Sequence, residues 1–206
     1  MKKTIAMLLV LCLLCAGAAL AEVEAVSQTP QPGEGASNIL VAYFSCTGNT
    51  RPLAEYVAES TGADLYEIIP AEPYTDEDLD YGDDNSRTSI EMNDPDARPA
   101  IAQPQSEEGA LTDLGQYDII FLGYPIWWGE APRIISTFLE SYDFSGKTVV
   151  PFCTSGGSGI GSSAENLHAL TGEETTWLEG ARFAAGTSRE EMAEWVNGLG
   201  LGIAVE

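Results

Sequence analysis

From residue 38 onward, apolar runs of strand length alternate with amphipathic runs of helix length. Asn38 to Phe44 (NILVAYF) is a continuous apolar stretch, as expected for a parallel strand covered on both faces. Arg51 to Ser60 follows as a predicted helix, with Leu53, Tyr56 and Val57 at helical spacing and Gly62 as its stop. Asp64 to Ile69 (DLYEII) reads as a second strand, ended by Pro70. Tyr117 to Tyr124 (YDIIFLGY) predicts a third strand and Lys147 to Thr154 (KTVVPFCT) a fourth, with Pro151 an unusual residue at a strand centre. Further helices are expected over Ala131–Ser141, with Pro132 near the first turn, over Ser162–Leu170, and over Arg189–Asn197 behind an N-cap at Ser188. Trp177 to Phe183 reads as a short fifth strand. Residues 70–110 break the alternation. Twelve acidic side chains stand there against Arg87 and Arg98, with Pro and Gly scattered among them, so a surface excursion with one or two short helices is expected.

Strand–helix alternation with crossovers of this length predicts an α/β domain over 38–206 built on a doubly wound sheet of five parallel strands. Such sheets bind ligands beyond the carboxyl ends of their strands, which singles out three loops. The first is Ser45, Cys46, Thr47, Gly48, Asn49 and Thr50, placed between a buried strand and a helix. Backbone N–H groups and the helix dipole favour an anion there, and Gly48 permits close approach. There is no lysine, so neutral donors would hold a terminal phosphomonoester without catalysis; the same residue types also cap helices. The second loop holds Pro125, Ile126, Trp127, Trp128 and Gly129. Two adjacent tryptophans cannot both enter the core easily, and planar side chains at this position suit a flat aromatic ligand; the alternative is that one of them simply covers the core. The third loop, Thr154, Ser155, Gly156, Gly157, Ser158, Gly159, Ile160 and Gly161, leaves backbone amides exposed to a ring edge carrying carbonyl oxygens and a nitrogen, unless it is merely flexible. A single ligand with a phosphate at one end and a planar heterocycle at the other satisfies all three loops. Flavin mononucleotide (FMN) is such a ligand.

The N-terminus carries a separate signal. Lys2 and Lys3 precede an apolar run from Ile5 to Leu14 that is too short to span a membrane, and Ala19-Leu20-Ala21 matches a cleavage site. Residues 1–21 are therefore expected to be a signal peptide, residues 22–37 a flexible linker, and the mature chain an exported protein, periplasmic or extracellular. Lipid anchoring at Cys15 is not expected, because Leu14 precedes it, and neither is stable membrane insertion after cleavage. The formal charge of −23 disfavours nucleic acid and anionic membranes as partners. With one histidine, His168, and no Cys or His cluster, a structural zinc site is not expected.

Phe44 to Thr50 (FSCTGNT) resembles the FMN-phosphate loop of flavodoxins. The run 123–161, with its PIWW and TSGGSGIG segments, and the excursion with Tyr74, Asp78-Leu79, Arg87, Asp94 and Arg98-Pro99 are similar to a flavodoxin-like family of small bacterial proteins. The resemblance implies a three-layer α/β/α fold with strand order 2-1-3-4-5 and FMN at the ends of strands one and three. It also implies phosphate binding by Ser45, Thr47, Gly48, Asn49 and Thr50, with Cys46 a spacer in their loop. Pro125 to Gly129 would line the ring, with Trp127 or Trp128 stacking on it, and Thr154, Ser155, Gly156, Gly157 and Gly159 would close the other edge. In that strand order Cys46 and Cys153 are separated by about two strand spacings, roughly 10 Å, beyond disulfide reach, so two free thiols are expected.

The implied function is FMN-dependent electron transfer between redox protein partners, which the acidic surface would prefer to be basic. An NAD(P)H- or quinone-linked reductase is the alternative within the same chemistry, and loss of the cofactor would leave an exported binding module. Carboxylates near a stacked ring would lower its potential below that of free FMN. Cys46, Arg51 and Asp94-Pro95 suggest low-molecular-weight tyrosine phosphatases, but the spacing is C-x4-R where that loop needs C-x5-R.

Overall fold

The computed structural model describes residues 38–103, 110–203 and 205; the expected signal peptide, cleavage site and linker lie outside the described residues. Eleven elements follow the chain: β1 (Ile39–Tyr43), α1 (Arg51–Thr61), β2 (Asp64–Glu67), α2 (Arg87–Asn93), β3 (Ile119–Pro125), α3 (Arg133–Ser141), β4 (Thr148–Thr154), a 3-10 helix (Glu165–Leu170), β5 (Thr176–Trp177), β6 (Ala181–Phe183) and α4 (Arg189–Gly198). All strand pairs are parallel, in the order β2-β1-β3-β4-β5, with β6 also paired to β4.

Alternation within the central strands divides the core in two. Leu40, Ala42, Ile120, Leu122 and Cys153 face one layer, where Ile134, Ile135, Phe138 and Leu139 of α3 cover them. Ile39, Val41, Tyr43, Ile119, Phe121, Val150 and Phe152 face the other, under Leu53, Ala54 and Val57 of α1 and Met192 and Val196 of α4. All five β1 residues are buried. Helix α1 stops at Gly62, whose φ of 66° is the left-handed value that closes a helix without a Cβ penalty.

The predicted fifth strand is broken in two, giving a six-stranded sheet. The carbonyls of Lys147 and Val149 accept from the N–H groups of Thr176 and Leu178, so alternate β4 residues aim at this edge. Pro151, next in that series, has no N–H to offer. Opposite the break, a Cβ on Gly180 would lie 2.4 Å from Ile160 Cδ1 and 2.9 Å from Pro151 Cγ, so only glycine fits where the chain detours. The segment predicted as a helix over Ser162–Leu170 is a 3-10 helix from Glu165, and β2 ends at Glu67 rather than Ile69.

Among its described residues the acidic excursion contains one short helix, α2, capped by the Ser86 hydroxyl accepting from Ser89 N–H. Its base is closed by backbone bonds from Ala71 N–H to Ala100 and from Ala102 N–H to Ile69. Its two arginines organise the rest. Arg87 lies 4.0 Å over the Tyr74 ring and donates to Glu91 and to the Glu72 carbonyl; Tyr74 donates to the other Glu91 oxygen at 2.6 Å. Arg98 forms a two-pronged pair with Glu140 of α3 at 2.7 and 2.8 Å. The Arg87–Glu91 pair is shielded from solvent, and the more exposed Arg98–Glu140 pair holds its geometry through two-pronged contact.

Gly123 of β3 lies opposite Phe152 of β4, and a Cβ there would sit 2.4 Å from the buried ring. Gly123→Ala is expected to lower unfolding free energy by about 1–3 kcal/mol through overpacking, measured by denaturant titration. An unchanged midpoint would mean that the ring has room to retreat.

Candidate functional site

The carboxyl ends of β1, β3 and β4 open on a common cleft of about 630 Å³. Loop 45–50 supplies Cys46, Thr47 and Asn49, loop 125–129 supplies Pro125, Ile126, Trp127 and Trp128, and loop 154–161 supplies Thr154, Ser155 and Gly156. The first and third loops are joined beneath it: Thr50 Oγ1 and Thr154 Oγ1 lie 2.9 Å apart and both residues are buried. A hydroxyl pair out of water exchanges one good hydrogen bond for two lost ones, and separating the pair is costly.

Ser45 does not line the cleft. Its hydroxyl accepts from the N–H groups of Thr50 and Arg51, each at 3.2 Å, and so caps α1 from outside the helix. At that helix end the N–H groups of Thr50 and Arg51 are thus engaged and Pro52 has none, while no described acceptor takes the Leu53 N–H. The other available donors are in the loop itself. Gly48 takes a φ of 81° with open space where a Cβ would be. Asn49 Nδ2 donates to Thr47 Oγ1 at 3.1 Å, and no described acceptor engages the N–H groups of Thr47, Gly48 or Asn49. A ring of neutral donors without a lysine fits a phosphate monoester better than it fits catalysis on one.

The two tryptophans part company. Trp127 is 4% exposed and meets the Phe44 and Tyr74 rings edge-on, at 5.7 and 5.5 Å. Trp128 is 51% exposed and, with a φ of 47°, is the one non-glycine in the left-handed region among the described residues. A bulky side chain held there costs on the order of 1–3 kcal/mol, a strain that gathers at functional sites. Gly129 follows at a φ of 84°, completing the sharp turn that swings the indole out of the core.

Four lining residues escaped the sequence reading: Tyr81, Arg182, Ala184 and Ala185. Tyr81 comes from the excursion and stands edge-on to Trp128 at 5.2 Å. Arg182 is the middle residue of β6 and the two alanines follow that strand, so the rule that selects loops at strand carboxyl ends reaches the alanines, while Arg182 comes from the strand itself. Gly157 and Gly159 lie further along the third loop, outside the lining. No Asp or Glu is among the lining residues, so the carboxylates expected beside the ring are not at the described cleft wall; the charged group there is the Arg182 guanidinium.

The sequence pattern of the flavodoxin family matches residues 38–199. The chain belongs to the flavodoxin family. A crystal structure of a candidate flavoprotein from Bacteroides eggerthii is 48% identical, superposes with a TM-score of 0.71, and shares 80% of this chain and 99% of its own length. One from Bacteroides uniformis is 44% identical at the same TM-score, over 79% and 99%. The fold is also shared with a flavoprotein from Lactobacillus acidophilus, solved in complex with FMN, at 22% identity and a TM-score of 0.53 over 78% of this chain and 99% of that one. The comparison with curated proteins yields no match.

In this flavodoxin-family cleft the phosphatase arrangement is absent. Arg51 turns away from the loop and places Nη2 2.6 Å from both Glu67 oxygens. Asp94 is exposed and accepts from Asp96 N–H. Burial pushes the Cys46 thiol up to about 11, against the pull of Arg87 and with help from Asp78 and Glu91. Burial likewise takes Cys153 up to about 12. Both cysteines are free thiols, as expected.

Two predictions follow from this geometry. Thr50→Val leaves the Thr154 hydroxyl buried without a partner and is expected to cost about 1–3 kcal/mol, whereas Thr50→Val with Thr154→Val recovers part of the loss. Additive losses in denaturant titrations would mean that the pair is not coupled. For Cys46, the raised pKa makes the thiolate scarce: below pH 9 its fraction is roughly a hundredfold under that of an ordinary cysteine. Alkylation of the native protein at Cys46, followed by mass spectrometry, should keep accelerating past pH 10. A rate that levels off near pH 9 would contradict the burial effect.

Proposed function

We propose that this chain binds FMN in the cleft between the three loops and carries electrons between protein partners. The observation that carries the reading is the convergence of unlike chemistries on one cavity: neutral hydrogen-bond donors around Gly48 at one end, an aromatic wall at Trp128 and Tyr81, and bare backbone at Gly156. The residues fit the cofactor on two further grounds. The volume is in the range of small-ligand sites. A Cβ at Gly48, Gly156 or Gly157 would meet nothing within 4 Å, so the backbone there is open to a ligand.

When bound, FMN supplies the electron transfer; the chain's part is to hold and tune it. Thr47 Oγ1, Asn49 Nδ2 and the N–H groups of Thr47, Gly48 and Asn49 would take the phosphate. Thr154 and Ser155 would meet the ring's polar edge. Trp128, already turned out of the core, offers its face to a planar group, while Trp127 closes the floor against water. Asp76, Glu77, Asp80, Asp83 and Asp84 sit in the same excursion as Tyr81, which favours docking of a basic redox partner at the mouth. Read as an exported protein, the chain would serve partners outside the cytoplasm.

The exposure of Tyr81, 50%, beside Trp128 favours a second reading, in which a planar substrate such as a quinone or nicotinamide enters over the ring. Purification of the 38–206 chain with identification of the released flavin by mass spectrometry tests the cofactor. The expected result is a yellow protein with one FMN per chain, and a colourless chain that FMN does not reconstitute would overturn the reading. Steady-state assays with NADH, NADPH and a quinone then separate the two roles: absence of turnover is expected of the carrier, and sustained turnover would move the assignment to a reductase.

A further inference from the structure

Arg182 is set apart by where it stands: Arg133 and Lys147 also form no ion pair among the described residues, but neither lines the cleft. Arg51, Arg87, Arg98 and Arg189 each pair with a carboxylate. Arg182 forms no ion pair among the described residues, in a chain with 32 acidic side chains, and it is the one charged residue in the cleft lining. It is braced rather than loose: Nε donates to Ser155 Oγ at 3.1 Å and Nη2 to the Ser155 carbonyl at 2.6 Å. The Ser155 hydroxyl in turn donates to the Ser158 carbonyl. The fork thus spends two of its five N–H donors on the third loop, and no described acceptor within the chain takes the other three.

We propose that Arg182 makes the cleft favour reduced over oxidised FMN, by holding a fixed positive charge at the loop that meets the ring's carbonyl-and-nitrogen edge. The inference rests on the FMN reading above. Reduction adds negative charge to that edge of the ring, and a guanidinium fixed in a partly buried wall gains more from it than water would. The chain's carboxylates act in the opposite sense. None of them lines the cleft; most are exposed and screened by salt over a length of about 8–10 Å, and Glu91, which bears on Cys46 from behind the wall, is paired with Arg87, so the braced charge in the wall itself dominates. The direction is opposite to that expected from the acidic composition alone. Backbone N–H groups of the third loop act in the same direction, and the R182Q variant leaves them in place, so the change it causes reads the guanidinium alone.

The experiment compares the wild-type chain with R182Q and R182K, after thermal melting shows that each is folded. Affinity for oxidised FMN is read by quenching of its fluorescence. The ratio of affinities for reduced and oxidised FMN is read from the potential of the complex against free FMN at alkaline pH, with dithionite as reductant. The expected result is that R182Q loses about tenfold or more of the preference for reduced FMN, while R182K, which keeps the charge, stays within about threefold of wild type. An unchanged ratio in R182Q overturns the proposal, as does an R182K ratio as low as that of R182Q, since the brace on Ser155 and not the charge would then be responsible. Failure of the wild-type chain to bind FMN at all overturns the cofactor reading itself and is a separate outcome.

Discussion

Burial of both faces of one parallel sheet is the constraint on which everything else in this molecule depends. Each β1 residue is committed to one of two cores, with Leu40 and Ala42 on one side and Ile39, Val41 and Tyr43 on the other. A slip of one residue would exchange the two sets and set side chains of the wrong size under α1 and α3. Parallel pairing also forces the chain to return over a face between strands, so every strand ends at the same side of the sheet. The polar, glycine-rich segments after β1, β3 and β4 meet there because the apolar scaffold leaves them no other place.

What joins those segments is polar and sparse. The Thr50–Thr154 hydroxyl pair locks the first loop to the third, and Ser45 holds the start of α1, so neither loop depends on a ligand for its position. The second loop is held differently, by Trp127 wedged among Phe44, Tyr74 and Tyr81. Because Trp127 is fixed in the core, its neighbour must leave the core within one residue, and the left-handed backbone at Trp128 is the conformational cost of that reversal. The strain therefore has a structural cause at one tryptophan and a chemical use at the next.

The apolar runs of β1, β3 and β4 and the hydroxyl-glycine-asparagine loop were legible in the sequence because each is decided by its own local pattern. Three features were not, and each depends on a partner distant in the chain. The break between β5 and β6 follows from Ile160 and Pro151 crowding Gly180. The division of labour between Trp127 and Trp128 depends on the ring of Phe44. Tyr81 reaches the cleft mouth only because Arg87 and Arg98, thinly spread in an acidic segment, tie that segment to Tyr74, Glu91 and Glu140. Arg182 was hidden for another reason: a net charge averages over the surface, and a single cation in the right wall vanishes in such an average.

The broken strand has a consequence beyond the cleft. An open sheet presents two unpaired edges, and long flat edges invite other chains to add strands of their own. Here one edge is β2, four residues long, and the other is divided into pieces of two and three residues by a detour at Gly180. Neither offers a continuous template, so crowding at a single glycine also blunts the sheet edge against the addition of a foreign strand.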